Sequence, residues 1–176
     1  MVEVTFTPTP EDFVAMQRAV FASQLRSRRF LGRMAMLSVF ALLAGVAFLL
    51  VVDGTVSFAS AAALGIGIAG GFVVLGIIIG GGWLLLPRRA RRLFAQQRSV
   101  HHEQRFVLTP DGLKLDSVRA DSFYPWDELT GWLLSPRVLL IFSNDMTAYC
   151  LPQRAMTDIA TAQAVAILTT AGLPRR

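Results

Sequence analysis

A single ionisable side chain interrupts the long apolar middle of this sequence. Between Met34 and Leu86 only Asp53 can carry a charge, in a chain that is 53% hydrophobic and 16% charged overall. Soluble domains usually carry about a quarter charged residues. An ordinary water-soluble domain and a disordered chain are therefore excluded, and the single cysteine, Cys150, excludes a disulfide-stapled module.

Two uncharged runs lie on either side of Asp53. Met34–Val52 has 19 residues, which make a helix of roughly 28 Å, close to the ~30 Å hydrocarbon core of a bilayer. The second span is expected over residues 60–86, after a turn over residues 53–59. We predict a transmembrane hairpin over residues 34–86 rather than a cleaved signal, because a second apolar span follows the first at once.

Arginines lie on one side of this hairpin. The turn has no lysine or arginine, whereas arginines precede the first span at Arg26, Arg28, Arg29 and Arg33 and follow the second at Arg88, Arg89, Arg91, Arg92 and Arg98. The positive-inside rule then predicts a multi-pass protein of the bacterial inner membrane with both termini in the cytoplasm. All of these arginines except Arg98 are candidates for contact with anionic lipid headgroups; the alternative is that they only fix orientation during insertion.

Small residues recur at four-residue spacing in both spans. The candidates for helix packing are Ala41, Gly45, Ala63, Gly67, Gly71, Gly76 and Gly80. Such a stripe allows another helix backbone to approach closely. We predict close packing within the hairpin; the alternatives are self-association into a homo-oligomer and a substrate path. The spans hold no ionisable residue, which argues against a proton or ion pathway.

The remaining segments predict an α+β arrangement. Residues 1–33 should hold a cytoplasmic strand, Val2–Thr7, and an amphipathic helix that begins after Thr9 with Asp12 among the acids of its first turn. This helix should run toward, or straight into, the first span. Residues 87–98 should form a basic juxtamembrane helix. Residues 99–176 should form a small antiparallel β-roll or barrel with these elements: strands Gln104–Thr109, Leu113–Val118, Ser122–Trp126, Gly131–Leu134, Val138–Phe142 and Thr147–Leu151, then a helix over Thr157–Ala171. A lone short strand is unstable in water, so Val2–Thr7 should pair with an edge of this domain.

Four short motifs carry a family resemblance. They are Phe106-Val107-Leu108-Thr109-Pro110-Asp111-Gly112-Leu113, Tyr124-Pro125-Trp126-Asp127-Glu128-Leu129, Leu139-Leu140-Ile141-Phe142 and Leu151-Pro152-Gln153-Arg154-Ala155. With the strand, helix and hairpin before them, they resemble the YcxB-like family of bacterial membrane proteins. The resemblance implies a cytoplasmic domain similar to pleckstrin-homology-like (PH-like) modules and brings no catalytic residues. Gln153 stands where such motifs commonly have a basic residue, which weakens the case for a phosphate-reading site.

Residues with catalytic potential are few beyond residue 99. His101 and His102 are adjacent, which does not suit a shared metal, and Cys150 has no evident base. We therefore expect no catalytic residue, metal or cofactor. The segment has seven basic and eight acidic residues, so the positive charge of the chain belongs to the membrane border, and we expect no nucleic-acid partner.

The aromatic residues of this segment have two interpretations. Trp126, Trp132, Phe106 and Phe123 are expected in the core, while Trp132 and Tyr149 are also candidates for a surface that meets a protein partner. The expected function is a membrane-anchored, non-enzymatic interaction or scaffold module with an unidentified protein partner. The alternatives are immunity or resistance to a membrane-active antimicrobial and, third, a membrane-bound enzyme of unknown class.

Overall fold

Two antiparallel sheets and four α-helices make up the part of the chain that the structure, a computed structural model, describes: residues 1–53, 58–97, 101–117, 120–145 and 147–176. The predicted α+β class is confirmed. The chain divides into an apolar helical unit, residues 22–85, and a β-rich unit, residues 1–21 and 86–176. In chain order the elements are β1 Val2–Phe6, α1 Pro10–Arg26, α2 Arg28–Asp53, α3 Phe58–Gln96, β2 Gln104–Leu108, β3 Gly112–Ser117, β4 Ala120–Pro125, β5 Gly131–Leu134, β6 Val138–Phe142, β7 Ala148–Pro152 and α4 Asp158–Thr170.

The first sheet joins the N-terminal strand to the part of the chain that follows the apolar helices. Its order is β1-β2-β3-β4, and β1 pairs antiparallel with β2, with Val2 opposite Leu108 and Phe6 opposite Gln104. Alternate residues of β1 are buried, and the ring of Phe6 stacks on that of Phe106 with centroids 5.7 Å apart. The predicted pairing of the N-terminal strand with the later domain is confirmed.

The second sheet has the order β5-β6-β7, and its central strand is buried along its whole length. Leu139 and Ile141 belong to the main core, which includes Leu168 of α4. The alternate residues of β6 form a second cluster with Ala15 and Ala19 of α1. Because β6 meets apolar side chains on both faces, α1 and α4 complete the layers around this sheet.

The bounds of β5 and β6 agree with the prediction, and the other predicted elements beyond residue 99 shift by one or two residues.

Before the first apolar run the structure differs more, because α1 ends at Arg26 and a new helix begins at Arg28. The Ser27 hydroxyl accepts a hydrogen bond from the Phe30 N–H at 3.2 Å. Ser27 therefore caps α2, and the chain does not run as one helix into the first span.

Helix α3 is continuous through Pro87 to Gln96. The basic segment is helical, as predicted, but it continues the apolar helix instead of forming a separate one. Pro87 has no N–H and so removes one helical hydrogen bond, but the helix continues after it to Gln96. Arg98 and the centre of the turn, residues 54–57, lie outside the described residues.

Two helical stretches are long and apolar enough to cross a membrane, Phe30–Phe48 of α2 and Gly65–Gln96 of α3. They overlap the predicted spans 34–52 and 60–86. The large apolar side chains of both helices are mostly exposed, among them Phe40 at 70% and Leu84 at 75%.

Candidate functional site

The C-terminal part of α3 has a basic face and an apolar face. Arg88, Arg89, Arg91 and Arg92 are all exposed, whereas Ala90 and Phe94 are only 2% and 8% exposed. Ala90 and Phe94 are four residues apart and therefore lie on the same side of the helix. The four arginines, which we call the α3 arginine patch, are thus available to solvent or to a ligand.

Aromatic contacts fix the apolar face of this segment within the β-rich unit. The Phe94 ring lies 6.1 Å from the Phe13 ring of α1 and 4.7 Å, stacked, from the His101 ring. His101 Nε2 donates to the Phe94 carbonyl at 3.0 Å, and Arg91 forms an ion pair with Glu11 at 3.5 Å. The sequence indicated only that His101 and His102 do not suit a shared metal, and it gave no sign of this contact with the last turns of α3.

The arginines before the first span lie at the junction of α1 and α2. Arg26 is the last residue of α1 and Arg33 lies in the second turn of α2, and both are exposed. Arg28 and Arg29 begin α2, but their side chains lie outside what the structure describes.

The predicted glycine stripe makes no close contact within the described part of the chain. A Cβ atom built at Gly67, Gly71, Gly76 or Gly80 meets no atom within 4 Å. The prediction that these four glycines pack tightly within the hairpin is therefore wrong. Self-association of two copies remains a prediction, because four-residue spacing permits close approach without specifying the partner helix.

Open space separates α2 from α3 at this level. A cavity of about 540 Å³ lies between them, and its lining includes Ala41 together with Gly67 and Gly71. Its one polar side chain, Ser38, donates its hydroxyl to the Met34 carbonyl at 2.9 Å. Of the other predicted packing residues, Gly45 is half-buried, and the side chain of Ala63 lies outside the description.

Trp132 of β5 is a core residue. It is 4% exposed, and its indole N–H donates to the Leu173 carbonyl at 3.1 Å. The core interpretation is confirmed, and the idea that Trp132 offers an exposed aromatic surface is wrong. Phe123 shows the reverse error: we expected it in the core, and it is 52% exposed.

Tyr149 of β7 is half-buried and contacts the first sheet. Its ring lies 4.9 Å from that of Tyr124 in β4. Burial is the main cause that raises the pKa of the Tyr149 hydroxyl, and a hydrogen bond with Tyr124 raises it further. The ring therefore joins the two sheets, and it is only partly available to the predicted protein partner.

The last four residues, Leu173–Arg176, lie along the edge of β5, and we call them the tail. The Trp132 N–H donates to the Pro174 carbonyl at 3.0 Å, and the Arg176 N–H donates to the Trp132 carbonyl at 2.9 Å. Arg175 is paired with Trp132 in parallel orientation, and its guanidinium lies 5.5 Å from the Trp132 ring. Sequence reasoning treated these residues only as the chain after a glycine stop.

An ion pair ties the start of α1 to the chain after β7. Arg154 Nε donates to Asp12 Oδ1 at 3.0 Å, Nη2 donates to Oδ2, and Nη2 also reaches the Thr7 carbonyl at 2.9 Å. The Thr9 N–H donates to the same carboxylate at 2.9 Å. Burial raises the pKa of Asp12, but the hydrogen bonds from Arg154 and Thr9 outweigh it and leave that pKa lowered. Sequence reasoning identified Asp12 only as a first-turn acid.

The remaining reactive groups do not form a catalytic arrangement in the described residues. Burial, and in second place the charge of Asp12, raise the pKa of the Cys150 thiol to about 12, and the charge of Arg154 opposes this rise. The thiol is therefore protonated at neutral pH and a poor nucleophile. Among the described residues, no three His, Cys, Asp or Glu side chains are placed to hold a metal ion.

Comparison of the chain with family models, with curated proteins and with solved structures found no match.

Proposed function

We propose that this protein is a membrane-anchored, non-enzymatic interaction module whose α3 arginine patch contacts anionic lipid headgroups. The observation that carries the proposal is the two-sided segment of α3. Its arginines are exposed, while Ala90 and Phe94 on the opposite side are buried. Arginine side chains are thus presented from a fixed helix and not from a loop.

The length of α3 supports this assignment. Its 39 residues make a helix of roughly 58 Å, about twice the ~30 Å hydrocarbon thickness of a bilayer. The helix cannot fit into the hydrocarbon region along its whole length. The arginines from Arg88 onward are costly to place in hydrocarbon because they are charged. This end of α3 is therefore favoured at the level of the headgroups.

Strand pairing supports a topology with both ends on one side. β1 precedes the apolar helices and β2 follows them, yet their backbones are hydrogen-bonded neighbours in one sheet. A chain that crosses a membrane between these strands must therefore cross it an even number of times. Together with the arginine distribution, this favours a two-span protein of the bacterial inner membrane with cytoplasmic ends.

The architecture also favours the PH-like assignment and the YcxB-like resemblance. Two antiparallel sheets of four and three strands are followed by the terminal helix α4, and these are the parts expected of such a module. Its proposed role is to hold a partner protein at the membrane surface.

A lipid-retention experiment tests the headgroup contact. The full chain is purified from mixed phosphatidylglycerol and phosphatidylethanolamine membranes, and the ratio of retained lipids is measured. Two arginines at about 1 kcal/mol each predict that R88Q/R92Q lowers the preference for phosphatidylglycerol about 30-fold. The control R105Q/R137Q removes the same charge from other exposed positions. Equal ratios in the two variants would contradict the proposal.

Reporter fusions test the topology. A fluorescent protein after Arg176 should fluoresce, and a phosphatase inserted after residue 56 should be active, because the first reporter requires the cytoplasm and the second the periplasm. An active phosphatase at the C-terminus would overturn the orientation.

A further inference from the structure

The outer edge of β5 is a strand-addition position that the chain fills with its own tail. β5 is an outer strand of its sheet, and an uncovered edge would leave its backbone N–H and C=O groups free to pair with another chain. The two backbone hydrogen bonds of Trp132 to Pro174 and Arg176 use these groups. The edge therefore already shows how an extended segment binds to it.

Gly131 allows this close approach. A Cβ atom at Gly131 would lie 2.6 Å from the Pro174 carbonyl oxygen, and the residue has a φ of +148° that side chains disfavour. Glycine is thus required at the position where the added backbone comes nearest to β5.

A side-chain pocket beside this edge holds one guanidinium. Arg176 Nη2 lies 2.9 Å from Thr130 Oγ1 and 3.0 Å from Asp145 Oδ1. The same guanidinium lies 4.5 Å from the centre of the Phe142 ring, and the Arg176 side chain is only 25% exposed. An anion, a hydroxyl and an aromatic ring together suit a planar, multiply donating cation better than an ammonium group.

The tail is a small ligand for this site. Within the part of the chain that the structure describes, it pairs with β5 through Trp132 alone. Pro174, Arg175 and Arg176 are exposed residues, and the helix before them ends at Thr170. Release of residues 174–176 would therefore break the two backbone hydrogen bonds to Trp132 and leave Leu173 in the core and α4 in place.

We propose that the β5 edge and its guanidinium pocket form a docking site for an extended, arginine-containing segment of a partner protein, with the tail as the resident competitor. This proposal rests on the proposed function as an interaction module and names its partner class. The partner segment pairs in parallel with Trp132, and its arginine replaces Arg176 between Asp145, Thr130 and Phe142.

Peptide binding to an opened edge tests the docking site. The detergent-solubilised chain, with and without residues 174–176, is titrated against fluorescein-labelled Gly-Leu-Pro-Arg-Arg amide, and anisotropy is measured. The truncation keeps Leu173, which is in the core. We expect the truncated chain to bind about 10-fold more tightly than the full chain, because the competitor is absent. Replacing the final arginine of the peptide by glutamine should weaken binding about 10-fold.

Two variants test the pocket itself. In the truncated chain D145N should also weaken binding about 10-fold, whereas D111N, an exposed acid in the β2–β3 turn, should not. If truncation unfolds the protein, full-length R175A/R176A replaces it, because it keeps the backbone of the tail and empties the pocket. A smaller gain in affinity is then expected, because the tail backbone still competes for the N–H and C=O groups of Trp132.

Three results would overturn the docking site. They are absence of peptide binding to both opened variants, binding unaffected by D145N, and a stable dimer that exchanges tails between two copies, seen by its mass in solution. Lipid retention and reporter topology do not involve this edge. Failure of peptide binding with those two results as expected would remove the docking site and leave the proposed function standing.

Discussion

Replacing Arg154 by methionine would isolate the contribution of the Asp12 ion pair. Methionine keeps much of the length of the side chain and removes its charge and hydrogen-bond donors. Asp12, whose side chain is 11% exposed, would keep the Thr9 N–H at 2.9 Å as a donor and lose both bonds from the guanidinium. The carboxylate would then be largely buried without its cation.

The expected loss is moderate. Breaking a fully buried ion pair by removing one partner costs about 3–5 kcal/mol. Arg154 is 49% exposed, so water screens the pair and reduces its strength. We therefore expect R154M to lower the free energy of unfolding by about 2 kcal/mol, which corresponds to a Tm lower by about 8 °C for a domain of this size.

The sign of the pH dependence follows from the pKa of Asp12. In the native protein that pKa lies below its ordinary value of 3.8. The corresponding stability is present above pH 3.8 and is lost as the pH falls through the lowered pKa. Without Arg154, only the hydrogen bonds from Thr9 oppose the effect of burial on the pKa of Asp12, so the ionised carboxylate contributes less stability at neutral pH than in the wild type. The stability difference between wild type and R154M should thus be largest near neutral pH and shrink in acid.

Thermal unfolding of the detergent-solubilised full chain, followed by tryptophan fluorescence, measures this difference at several pH values. R105M is the matched control, because Arg105 forms an ion pair with Glu3 at 2.8 Å in which both side chains are largely exposed. Exposed pairs contribute little, so R105M should change the Tm much less. The reasoning is refuted if R154M matches R105M at every pH, or if its deficit grows in acid.

Other predictions follow from packing and from thiol chemistry. Replacing Leu140, which is fully buried in β6, by alanine should lower the free energy of unfolding by about 3 kcal/mol, as measured by urea titration. G112A should also destabilise, because its Cβ would lie 2.4 Å from the Tyr124 carbonyl oxygen, whereas G81A meets nothing within 4 Å and should leave the urea midpoint unchanged or raised. Cys150, with its pKa raised to about 12 from 9.0, should react with maleimide about 1000-fold more slowly in the folded than in the unfolded chain, because the thiolate fraction falls by that factor. A urea midpoint unaffected by L140A, a G81A variant less stable than G112A, or equal labelling rates would contradict these three expectations in turn.

Local signals explain why most of the β-rich unit could be predicted. β5 and β6 are bounded by turn residues, Ser135-Pro136 and Ser143-Asn144-Asp145, and their predicted limits agree with the structure. The pairing of β1 required only the argument that a strand of five residues cannot stand alone. Both inferences use information within a few positions of the element concerned.

Specific side-chain contacts between distant parts of the sequence could not be predicted in this way. Arg154 and Asp12 are 142 positions apart, and nothing local distinguishes this arginine from one on the surface. The hydrogen bonds that join Trp132 to the tail are likewise indicated by no pattern near β5. The stripe around Gly71 fails for a different reason, since its spacing describes what a helix permits and the partner is decided by the rest of the assembly.

The pairing of β1 with β2 has a consequence for biosynthesis. Glu3 and Arg105, which meet across these strands, are 102 positions apart. Translation proceeds at about 5–20 residues per second, so β1 waits on the order of 5–20 s until its partner strand is made. During that interval both apolar helices are made, and Val2, Val4 and Phe6 have no core to enter. The newly made strand is thus exposed to chaperones and to neighbouring nascent chains until β2 has been made, and its sheet can close only after both apolar helices have been translated.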